Sequence, residues 1–108
     1  MSPTVIAEAT LRSEVEAWSV RLRVRPKQVR LQPMKLKWAS CSSAGRITLS
    51  RDLLKQPRSF RDYVIAHELL HLRIRNHGKL FDRTLRAHLA GNPWPDKAAA
   101  GGRPRGAS

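Results

Sequence analysis

Three of the four histidines in the chain, and its last glutamate, fall between positions 67 and 77. His67, Glu68 and His71 form an HExxH pattern, and His77 follows six residues after the second histidine. Residues four apart on a helix lie one above the other on the same face, so His67 and His71 can reach a single metal ion. Neutral imidazoles bind zinc at about 2.0–2.1 Å, and two of them on successive turns supply half of a tetrahedron. Glu68 lies next around the helix from His67. Its carboxylate is offset from the ion and placed to accept a proton from metal-activated water. That combination is the chemistry of a metal-dependent hydrolase.

A catalytic zinc site needs a third protein ligand. If the helix ran straight on, His77 would stand about 9 Å beyond His71 along the axis, at 1.5 Å per residue. Its participation therefore requires the helix to end soon after His71. Asn76 and Gly78 are the residues suited to a left-handed backbone at such a turn. No glutamate follows Glu68, which removes the plan that takes a third ligand from a downstream glutamate. His77 is the favoured ligand, with Asp82 and His88 as weaker candidates. Cys41, the single cysteine, could close the site as a fourth ligand or be a small inert thiol.

The elements that must position these groups are legible in outline. Val64, Ile65, Leu69, Leu70 and Leu72 flank the motif and predict a packed helix, with Ser59 as a candidate cap. Residues 3 to about 21 read as an amphipathic helix in which Ser2 caps, Pro3 opens the first turn, and Leu11, Val15, Trp18 and Leu22 form one apolar stripe. Residues 28 to 38 alternate like a strand interrupted at Pro33, which implies an edge or a bulge. Ala39 to Gly45 is a turn by composition, and Arg46–Ser50 a second strand antiparallel to the first. A sheet edge beside a metal helix suits an extended peptide substrate. Gly78 to Leu89 reads as a further helix, with Leu80 or Phe81, Thr84 or Leu85, and His88 on its inner side. The expected division is one domain over 1–90 and a flexible basic Gly/Pro/Ala/Arg tail over 91–108.

The chain has 108 residues, enough for one modest core. No run approaches the roughly 20 apolar residues of a membrane span. The N-terminus lacks a signal-peptide pattern and a lone cysteine forms no internal disulfide, which together predict a cytoplasmic protein. A net charge of +13 favours acidic partners or nucleic acid, although arginine is spread along the chain and no RNA-recognition signature or Cys-rich finger is present. Nothing in the pattern fixes an oligomeric state.

Beyond HExxH, a longer series of residues carries a family resemblance. Trp18 is followed by Val24-Arg-Pro-Lys27, Met34-Lys-Leu-Lys-Trp38-Ala-Ser-Cys-Ser-Ser43 and Gly45, then Ile47 and Leu49. Asp62-Tyr-Val-Ile-Ala-His-Glu-Leu-Leu-His71 and Asn76-His-Gly-Lys-Leu-Phe81 complete it. Over roughly residues 11 to 89 the chain resembles the YgjP-like zinc metallopeptidases, relatives of the SprT-type proteases. The resemblance implies a compact zincin-like α+β domain: an N-terminal helix, a short antiparallel β-hairpin or sheet, the HExxH metal helix and a C-terminal helix. It further implies Zn2+ held by His67, His71 and His77, Glu68 as catalytic base, and a peptide or protein substrate. The alternatives are a non-catalytic zinc-binding module, closed by Cys41 as a fourth ligand, and, through the SprT-type kinship, a basic nucleic-acid-associated module. The chain departs from the family pattern at Arg23 and Ala39, where glycine is usual, and at Gly78, where serine is common.

Overall fold

The computed structural model describes residues 5–99, which form an α+β unit with a three-stranded sheet. In chain order the elements are α1 (Glu8–Leu22), β1 (Gln28–Gln32), β2 (Ala39–Cys41), β3 (Arg46–Ser50), a 3-10 turn (Arg51–Lys55), α2 (Arg58–Leu70), α3 (Lys79–His88) and α4 (Trp94–Ala99). No helix among the described residues is long and apolar enough to cross a membrane.

The helix carrying the HExxH pattern is the hub. From Tyr63 to Leu70 every residue of α2 is buried, because α1, β2, α3 and α4 pack around it. A helix enclosed on all sides has no solvated face, so its polar residues must find partners inside. At its N-terminal half they do. Arg61 donates from Nε and Nη2 to the two Glu14 carboxylate oxygens of α1 at 2.9 and 2.8 Å, and from Nη1 to the Gln56 carbonyl at 2.7 Å. Close by, the Trp18 indole N–H donates to Asp62 at 3.0 Å. The Glu14 carboxylate raises the pKa of the Arg61 guanidinium, outweighing the effect of burial.

Helix α1 carries the expected stripe: Leu11, Val15, Trp18 and Leu22 are buried. It starts at Glu8 after Ala7, with no side-chain cap, and the Ser2 and Pro3 of the expected start lie outside the described residues. It ends in a Schellman turn. Val24 N–H bonds to Ser19 O and Arg23 N–H to Val20 O, and Arg23 takes the left-handed conformation at φ 56°.

The sheet corrects one expectation. Strand β3 is central, pairing antiparallel with β2 (Ala39 opposite Leu49) but parallel with β1 (Val29 opposite Ile47). The chain reverses within residues 33–38, so the antiparallel partner of β3 comes from the stretch read as a turn. Only Ser42 to Gly45 form the hairpin loop, closed by Gly45 N–H to Ser42 O, with Gly45 at φ +86°. Pro33, which cannot donate to a ladder, marks the end of β1. The alternation across 28–38 gave no sign of this reversal.

Two further boundaries differ. Pro57, not Ser59, occupies the N-cap of α2. Beyond residue 90 the chain forms α4, whose Trp94 ring stands edge-on to Phe60 at 4.6 Å, while Asn92 donates to the Ser59 carbonyl at 2.7 Å. The flexible-tail expectation therefore does not hold for Trp94–Ala99; residues 100–108 lie outside the described residues.

Candidate metal centre

Helix α2 ends at Leu70, with His71 as its C-cap. The backbone tightens there: His71, Leu72 and Arg73 N–H bond to the carbonyls of Glu68, Leu69 and Leu70, three residues back. Such a 3-10 finish lets the chain turn without a left-handed residue. Asn76 and Gly78 are accordingly not left-handed, contrary to the sequence expectation. Gly78 is instead the extended N-cap of α3, and a Cβ placed there would meet nothing within 4 Å.

The turn brings His77 back over the helix. Its Nε2 lies 3.1 Å from His67 Nε2. Ring centroids are 5.0 Å apart for His67 and His71, 4.9 Å for His67 and His77, and 5.7 Å for His71 and His77. The candidate ligand atoms of His67, Glu68 and His71 also lie within 4.8 Å of one another. His67 and Glu68 are fully buried, His71 is half-buried and His77 is exposed, so the cluster opens to solvent on the His77 side.

Two facing imidazole Nε2 atoms can share at most one proton, whereas a cation between them engages both lone pairs. Zinc bound at 2.0–2.1 Å in a tetrahedron would separate its nitrogen ligands by about 3.3 Å. The observed 3.1 Å is close to that spacing. His67 Nδ1 is buried and has no hydrogen-bond partner among the described residues; Glu68 Oε1 lies 3.7 Å from it. The residues therefore fit a metal ion.

Phe81 was a packing candidate in the sequence, with no link to the site. Fully buried on α3, it stacks on His71 at 4.6 Å and meets His77 edge-on at 4.5 Å and His67 edge-on at 5.2 Å. One apolar ring thus forms the floor under all three imidazoles. Its neighbour Leu80, the alternative inner residue, is exposed. The other candidates lie outside the cluster. Asp82 is exposed and pairs with Arg86, and His88 sits in the last turn of α3 with its carbonyl accepting from Arg21. Cys41 lies on β2 with its thiol 3.6 Å from the Ser42 carbonyl; the group of mutually close ligand atoms holds His67, Glu68 and His71 and includes neither Cys41 nor His77, which joins the cluster through its contact with His67. Burial, and then the negative charge of Glu68, push its pKa up, while Arg75 opposes them.

Among solved structures, this architecture is similar to two archaeal metallopeptidase zymogens. The match to abylysin of Pyrococcus abyssi has a TM-score of 0.73 at 23% identity, covering 91% of this chain and 99% of that one. The match to jannalysin of Methanocaldococcus jannaschii has a TM-score of 0.70 at 25% identity, covering 83% and 91%. No curated protein sequence is significantly similar. The fold is thus that of a small metallopeptidase. The profile of the YgjP-like metallopeptidase domain matches residues 4–95, and the chain belongs to that family. Membership implies a metal-dependent peptidase.

Proposed function

We propose that the protein is a zinc peptidase of the HExxH type, with zinc held by His67, His71 and His77 and Glu68 as general base. The observation that carries this reading is the convergence of three imidazoles around a 3.1 Å Nε2-to-Nε2 approach, with one buried carboxylate adjoining them. A rival set would use Glu68 as the third ligand. The position of His77 favours the three-histidine set and leaves the Glu68 carboxylate for proton transfer.

When bound, zinc supplies Lewis-acid polarisation of the scissile carbonyl and acidifies water at neutral pH. The protein's own groups do the rest. Glu68 takes the proton from the attacking water at a carboxylate oxygen and returns it to the leaving amine. Its complete burial keeps bulk water from competing for that proton. The outer edge of β2 runs beside α2 and offers backbone groups to a substrate in extended form. Phe81 holds the three rings against a single surface. A cytoplasmic location fits the single cysteine.

Glu68→Gln tests the assignment. Zinc content should stay at about one ion per chain while peptide hydrolysis falls by about 10²–10⁴-fold, the range for losing a general base. Unchanged hydrolysis would refute the role of Glu68, and loss of zinc would instead make it a ligand.

A further inference from the structure

Beside the metal centre lies a cleft of about 580 Å³ with His71 on its wall. Arg23, Arg25 and Lys27, from the segment joining α1 to β1, line one part of it, and Arg73 and Arg75, just after α2, line another. No carboxylate lines it, and none of these five cations forms an ion pair with a described acid. Outside the cleft Arg12 and Arg51 share Glu8, Arg58 and Arg61 share Glu14, and Arg86 takes Asp82 and Asp96, whereas Arg21, Arg30, Arg46 and Arg83 pair with no described acid but do not gather around one concavity with the five. Five like charges around one concavity repel one another and focus a positive potential into it. An anionic guest relieves that repulsion.

The chemistry of the lining selects among anionic guests. Single-stranded nucleic acid is held by aromatic platforms that stack its bases, and no Phe, Tyr or Trp lines this cleft. Its volume matches a few side chains, and it adjoins a metal ligand. Arginine guanidinium groups pair with carboxylates in a two-pronged geometry. We propose that the cleft is the specificity pocket of the peptidase, selecting peptides with acidic residues close to the bond that is cut. The proposal rests on the peptidase reading above.

The test compares a quenched fluorescent peptide rich in Glu with its Gln-substituted twin, using zinc-loaded protein at low salt. Wild type should cleave the Glu peptide with a kcat/KM at least about tenfold higher, equivalent to about 1.4 kcal/mol. Arg25→Glu/Arg75→Glu should abolish the preference. Arg30→Glu/Arg83→Glu, the same change in net charge on exposed residues outside the cleft, should keep it. Equal cleavage of both peptides by wild type, or equal loss in both double variants, overturns the proposal. Melting curves and Arg25→Gln/Arg75→Gln separate lost charge from lost folding. Should neither peptide be cut, the peptidase reading fails by itself and the cleft is judged by binding. Fluorescence anisotropy of the Glu peptide on the Glu68→Gln protein should then vanish with Arg25→Glu/Arg75→Glu. Absent binding, or tighter binding of an oligodeoxythymidine, overturns the acidic-peptide assignment.

Discussion

The two halves of α2 bury polar groups in opposite ways. Near its N-terminus Arg61 meets Glu14, and Trp18 meets Asp62, partners 47 and 44 positions away in the chain. Donors face acceptors there, and the protein satisfies itself. Near its C-terminus His67 meets His77, ten positions on, nitrogen against nitrogen. Here the two nitrogens can share one proton or, with both lone pairs free, face a cation. The first arrangement ties α1 to α2, and the second is the core of the proposed metal site. Buried polarity alone therefore does not mark a functional site; the sign of the mismatch does.

This contrast can be broken at either end. Glu14→Ala should have the largest effect, destabilising the fold by about 3–5 kcal/mol because it strands a buried guanidinium. Denaturant unfolding measures that loss, and zinc affinity of the remaining folded protein should be unaffected. A large drop in that affinity would mean the two halves are coupled. His77→Ala should do the reverse, weakening zinc by about 100-fold or more in a competition titration. Unfolding of the metal-free protein should change little, since His77 is exposed. Unaltered zinc binding would return the third position to Glu68. Phe81→Leu sharpens the picture because Phe81 belongs to both core and site. It should cost about tenfold in zinc affinity through loosened rings, beside about 1 kcal/mol of stability. Arg23→Gly gives the smallest shift. Relieving the left-handed residue should offset the added chain entropy and stabilise by up to about 1 kcal/mol, seen as a higher melting temperature.

The site was more legible than the sheet, for reasons of range. HExxH places two side chains on one helical face through bonds four residues long, and His77 needs only one short turn to join them. Strand pairing joins distant segments, and alternation across 28–38 carries no information about which neighbour a strand will find or in which direction. The Glu14–Arg61 pair was hidden for a similar reason. On the sequence, Glu14 belongs to a polar helix face and Arg61 to a basic stretch, and nothing local says that both end inside. Phe81 looked like any core phenylalanine, because a ring that packs on imidazoles has the same pattern as one that packs on leucines.

The amino-acid order by itself determined the candidate ligand types, their helical register, the apolar stripe of α1 and the family resemblance. These follow from covalent spacing and the period of the helix. Only the tertiary structure decided that α2 stops at Leu70 by a 3-10 turn, that Phe81 underlies all three rings, and that β3 lies between two strands of opposite direction. Tertiary structure likewise gathered Arg23, Arg25, Lys27, Arg73 and Arg75 around one cleft. Each of those outcomes depends on which surfaces meet, and that is set by packing between segments far apart in the chain.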